Sequence, residues 1–177
     1  IKILGTATRP YQPLTQAAFV EALLKLISGN RQRALLERDQ IKRGKKLERA
    51  QPDSRLVFRN MFIDKEDAKM ARVVWNYYAA VRERWPERWE GVDLRGNMLP
   101  RTNGFRAFMR FLPTVYLYLG APGTVQAQSS FTRVFSEFAI PGERFSTDNY
   151  PHGTSGESRL LRDLEAQFQQ HVASEPS

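Results

Sequence analysis

The segment Leu99–Leu119 constrains this fold more than any other. Phe105, Phe108, Met109, Leu112, Val115, Tyr116 and Leu119 recur at steps of three and four, which places them on one face of an α-helix. Thr102 and Asn103 are residue types that cap the free N–H groups at a helix start. Arg101, Arg106 and Arg110 put positive charge on and just before the first two turns. A helix N-terminus with spare donors and nearby guanidinium groups suits a phosphate. An ordinary capped core helix, its arginines solvated or paired with carboxylates, accounts for the same residues. Pro113 has no N–H and crowds the turn before it, so a kink or a division is expected there.

Other segments repeat the helical pattern. Thr15 is placed to cap a helix running to Ser28, with Phe19, Leu23, Leu26 and Ile27 inward and Gly29-Asn30 ending it. Asp64 and Asp67 suit the positive end of a helix that runs to Trp85 and stops before Pro86. Met70, Val74, Tyr77, Val81 and Trp85 form its stripe, while Trp75 and Tyr78 lie on another face. Thr124 is expected to cap a helix carrying Val125, Phe131, Val134, Phe135 and Phe138. Thr154 and Glu157 have capping-box spacing ahead of Leu160, Leu161, Leu164, Phe168 and Val172.

Ile1 to Thr8 is short and β-branched and reads as a strand, followed by a connector through Pro10 and Pro13. A lone strand, at a start that is not Met, suggests a fragment whose upstream part holds the rest of a sheet. The expected architecture is therefore mainly α, an irregular bundle of about five or six helices with one short N-terminal strand. Residues 1–13 form strand and connector, 14–172 a helical domain with a basic insertion at 30–55, and 173–177 a frayed tail.

Charge narrows the partners. The chain of 177 residues has a formal net charge of +8, which favours polyanions, nucleic acid well before an anionic membrane. Residues 30–55 hold nine Lys or Arg against four carboxylates, so most of the surplus sits there. Lys42, Arg43, Lys45 and Lys46 flank Gly44 as a basic loop, either a phosphate-contacting arm or a solvated insertion. The chain has no cysteine, which excludes disulfides and thiolate chemistry and fits a cytoplasmic protein. No apolar run approaches the ~20 residues of a membrane span.

Catalytic motifs fail on inspection. Gly153-Thr-Ser-Gly-Glu-Ser158 has Glu157 where a phosphate loop needs lysine and where a nucleophile elbow needs glycine. His152 and His171, the only histidines, have no metal-ligand spacing, and an Asp148–His152 pair has no nucleophile beside it. No catalytic residue, metal ligand or cofactor site is assigned.

The order of segments carries a resemblance. Val73-Val-Trp-Asn-Tyr-Tyr-Ala-Ala-Val81 is followed by Trp85-Pro-Glu-Arg-Trp89. Arg101-Thr-Asn-Gly-Phe-Arg-Ala-Phe-Met109 comes next, then Gly153-Thr-Ser-Gly-Glu-Ser158 and a leucine helix. This resembles the C-terminal half of DGQHR-domain proteins, the group that includes the DndB proteins of DNA phosphorothioation systems. Leu14-Thr-Gln-Ala-Ala-Phe-Val20 is similar to the segment following the family's signature domain. The signature Asp-Gly-Gln-His-Arg is absent from these residues, so no signature residue carries over. The resemblance implies a bacterial DNA-modification or phage-defence setting, with DNA binding and regulation of modification genes as the activity. The nucleic-acid candidates are Arg101, Thr102, Asn103, Arg106 and Arg110, with Lys42, Arg43, Lys45 and Lys46 in the basic loop. A supporting domain for a nucleotide-hydrolysing or DNA-cleaving enzyme, and a protein-interaction module built on Trp75, Tyr78 or Trp89, are the other readings.

Overall fold

The Thr15 hydroxyl accepts the Ala18 N–H at 3.2 Å and starts α1 (Gln16–Ser28), as its position predicts. Gly29, at φ 84°, ends that helix, and the Asn30 side chain then caps α2 (Arg31–Lys42) by accepting from Arg33 N at 2.8 Å. The structure is a computed structural model that describes residues 14–120 and 122–174. The expected strand and connector at residues 1–13 lie outside the described residues, as do the last three residues of the expected tail.

The remaining elements are α3 (Arg59–Ile63), α4 (Asp67–Arg84), α5 (Pro86–Glu90), α6 (Thr102–Tyr118), α7 (Gln128–Ser136) and α8 (Thr154–Ser174). Eight α-helices among the described residues exceed the expected five or six, because the short α3 and α5 show no amphipathic period. The only β pairing among the described residues is an isolated antiparallel bridge between Asn97 and Ser146. α8 continues through Ser174, so it takes in the first two residues of the expected tail.

Aromatic rings join two helix pairs. α4 packs on α7 and α6 on α8, while α1 contacts both α6 and α2. Between the pairs, Tyr77, Phe108, Phe131 and Phe135 meet at centroid separations of 5.3–6.4 Å. The Tyr77 hydroxyl donates to Phe108 O and the Tyr78 hydroxyl to Phe105 O, each at 2.9 Å, so neither phenol is buried unpaired. Burial raises both phenols well above their ordinary value and keeps them as neutral donors.

The expected α4 stripe is buried as predicted, and Tyr78 is buried on the second face, but Trp75 is 66% exposed. Asp64 does not open α4. It ends α3 and takes both terminal nitrogens of Arg49 at 2.7 and 2.8 Å, and the Arg49 hydrogen bond holds its carboxyl below the usual range. α6 runs unbroken through Pro113. Thr124 does not cap α7: that helix begins three residues past the expected start, and the Thr124 carbonyl instead receives the Tyr116 hydroxyl at 2.5 Å.

The capping box at α8 is also corrected. Thr154 already lies within the helix, and Glu157 reaches Arg110 rather than the helix's own start. Gly156 has a different purpose. A Cβ there would collide with the Pro151 carbonyl oxygen, a backbone atom that cannot swing away. Glycine to alanine in an open helix interior gains about 1 kcal/mol, so the collision and the propensity oppose each other. Overpacking against backbone costs about 1–3 kcal/mol or more, and the collision wins. Gly156→Ala should lower the thermal midpoint, and an unchanged or raised midpoint would refute the close approach.

Candidate nucleic-acid interface

The candidates on α6 serve mainly to hold the fold together. Arg101, with extended backbone, is the N-cap residue and makes no side-chain cap hydrogen bond, so the cap position falls on neither Thr102 nor Asn103. Arg101 instead donates from Nε to the Asn97 carbonyl at 2.7 Å. Asn97 is fully buried and donates to Arg88 O and Gly91 O at 2.7 Å each, which locks the connector before α6. Asn103 donates to Gly153 O at 3.2 Å and Pro151 O at 3.4 Å, tying the start of α6 to the start of α8. Thr102 opens the helix beside it.

Further along α6, Arg106 meets Glu21 of α1 and Arg110 meets buried Glu157 of α8, each at 3.0 Å. A carboxylate matches each guanidinium, so the carboxylate-paired alternative describes these two arginines. They are braces between helices, with part of each fork still open to solvent.

The basic arm is different. Lys42 closes α2, Arg43 is its C-cap, Gly44 turns the chain at φ 75°, and Lys45 and Lys46 follow without regular structure. All four cations are exposed, and none makes an ion pair with a described residue. Charge repulsion among them is relieved only by solvent or by an anionic partner.

The support beneath the arm is unusual. α2 exposes Leu35, Leu36 and Ile41, and what it buries is Glu37. That carboxylate receives Ser28 Oγ at 2.5 Å, Arg33 Nε at 2.9 Å and Arg59 Nη1 at 2.9 Å. Arg59 is 2% exposed and also donates to Ile27 O and to Glu48 O, so one guanidinium gathers α1, α2 and the chain leaving the arm. Burial acts to raise the Glu37 pKa, but the bonds from Ser28, Arg59 and Arg33 outweigh it and hold it below the ordinary value.

An open cleft of about 460 Å³ gathers further cations around Arg110. Lys25 of α1, Arg110 of α6, Arg162 of α8 and Arg55 of the segment before α3 line it, with Glu165 as the carboxylate on its wall. These residues lie on separate elements, so only the fold brings them together.

Ser155, Asp148 and His152 are exposed, and no hydrogen bond joins Asp148 to His152 among the described residues. His171 is buried, with Nε2 3.5 Å from the Tyr118 hydroxyl. Among the described residues no cluster of His, Asp and Glu has a metal-binding arrangement. No described helix is long and apolar enough to cross a membrane. No family model, curated protein or solved structure matches the chain.

Proposed function

We propose that this chain is the DNA-binding helical portion of a protein of the DGQHR-domain kind, linked to bacterial DNA modification and phage defence and regulating modification genes. The observation that supports DNA binding best is the run Lys42, Arg43, Lys45 and Lys46, four exposed cations with no ion-pair partner among the described residues. Such cations displace condensed counterions from a duplex and give affinity without sequence information. Arg106 and Arg110 add contacts through the open part of their forks, and the net charge of +8 draws the duplex in. The link to modification genes rests on the order of segments in the sequence.

The test is duplex binding followed by fluorescence anisotropy across a salt series. Binding should weaken steeply as salt rises, with a logarithmic slope that falls by about three to four when Lys42, Arg43, Lys45 and Lys46 are changed together to glutamine. Affinity at low salt should drop by about a hundredfold. A slope near zero in the wild type would remove the proposal.

A second reading has one observation behind it. Trp75, two-thirds exposed on α4, offers a large aromatic surface of the kind that anchors protein interfaces. A partner pulldown that survives the four glutamine changes but not Trp75→Ala would favour an interaction module.

A further inference from the structure

The cleft between α1, α6 and α8 concentrates positive charge in a way the fold alone does not require. Arg55 is the most informative of its residues. Its Nη2 donates to the Arg110 carbonyl at 3.1 Å and its Nη1 to the Thr114 hydroxyl at 3.3 Å, in the turn of α6 that contains Pro113. Both acceptors are neutral. They orient the guanidinium without cancelling its charge and leave Nε–H and one N–H on each terminal nitrogen unused.

The neighbouring charges reinforce that surplus. Arg110 is matched by Glu157 and also reaches Ser158 Oγ at 3.4 Å, so it contributes direction more than net charge. Lys25 and Arg162 are exposed and make no ion pair among the described residues, which leaves only Glu165 on the wall to oppose them and Arg55. Leu26, Pro113 and Leu161 complete the lining, and apolar walls strengthen an ionic contact by excluding water from one side. Cations gathered without matching acids repel one another until an anion enters.

We infer that this cleft seats a phosphate group, with Arg55 as the pre-oriented donor and Lys25 and Arg162 as the charges that close on it. A backbone phosphodiester and the phosphoryl group of a free nucleotide present the same chemistry. The first source rests on the DNA-binding reading and the second does not.

Two titrations of the full chain separate the outcomes. The first follows arginine Nε–H signals by NMR while inorganic phosphate is added, against sodium chloride at equal ionic strength. Phosphate should shift Arg55 and Arg110 where chloride does not, and Arg55→Gln should weaken that binding by about tenfold. Arg55→Lys keeps the charge without the fork and should recover only part of the affinity. Arg162→Gln, at an exposed position on α8, should weaken it as well, and its unchanged circular dichroism would show that the loss is not misfolding.

The second titration measures duplex binding by the same variants. A parallel loss, with the salt slope reduced by about one for Arg55→Gln, assigns the cleft to a backbone phosphate. Retained duplex affinity alongside lost phosphate binding assigns it to a free phosphorylated ligand. Equal shifts with phosphate and chloride, or phosphate binding untouched by Arg55→Gln and Arg162→Gln, would overturn the inference even if the arm still binds DNA. Phosphate entry into the cleft of a protein that binds no duplex would sink the DNA reading and leave the inference standing.

Discussion

Replacing Arg59 with methionine should lower the unfolding free energy by about 3–5 kcal/mol. The cost comes mainly from what remains behind. Glu37 would stay buried at the α1–α2 contact with Ser28 and the half-exposed Arg33 as its partners, and Ile27 O and Glu48 O would lose a donor. Removing both charges is a milder change. Arg59→Met with Glu37→Leu should recover a large part of the loss, since a buried ion pair owes much of its apparent value to the penalty of stranding one member. Chemical denaturation of the two single variants and the double variant closes the cycle. Strict additivity would mean that the two groups are not coupled.

The same carboxylate predicts an acid limit. Its folded pKa lies below the ordinary value of a glutamate, so folding favours the ionised form. The stabilisation from Glu37 is therefore complete above the unfolded value and is lost as pH falls through the lower folded one. In Glu37→Gln this part of the acid dependence should vanish, which a comparison of denaturation midpoints at neutral pH and below the ordinary glutamate range would show.

Trp85→Ala should cost about 3–5 kcal/mol, the range for deleting a large buried aromatic side chain. Its ring touches Phe108 and Phe135, both at 5.8 Å between centroids, and Phe145 at 5.0 Å, while its indole N–H donates to Ile140 O at 2.9 Å. It therefore binds the end of α4 to α6, to α7 and to the loop before α8 at once. Trp85→Phe separates the two contributions. It keeps an aromatic ring but leaves the Ile140 carbonyl without that donor, which should cost about 1–3 kcal/mol. Equal losses for the two variants would show that ring packing contributes little, contrary to the aromatic contacts.

Helices with a strong apolar period were legible in the sequence. Met70 to Trp85 and Phe105 to Tyr116 carry their own evidence, because burial at steps of three and four needs no knowledge of the partner. The Thr15 cap was legible for the same reason, since its acceptor and donor lie three residues apart. The errors came where a short-range motif competed with a distant partner. Thr154 and Glu157 match a capping box, but Glu157 lies beside Arg110, 47 positions away, and a part-buried ion pair takes the place of the local bond. Asp64 likewise suits a helix start and is held instead by Arg49.

The candidate site divides along the same line. The arm was visible because its charges are contiguous, and its exposure follows from having no apolar stripe to bury. The cleft was not visible. Lys25, Arg55 and Arg162 belong to segments that converge on Arg110 only after folding, and nothing local distinguishes those three from other surface cations. Arg106 and Arg110 fall on the helix their spacing predicts, but the acids opposite them come from α1 and α8.

The paired tyrosines of α4 have a mechanical consequence. Side chains meshed only by shape let one helix creep along another by small rotations of many bonds. Two hydroxyls on successive residues, pinned to carbonyls three residues apart on α6, remove that freedom as two bolts through a rail would. The long arginines of α6 are thus mounted on a bar whose axial setting is fixed. Anything they grip must conform to their spacing, because the bar will not shift to meet it.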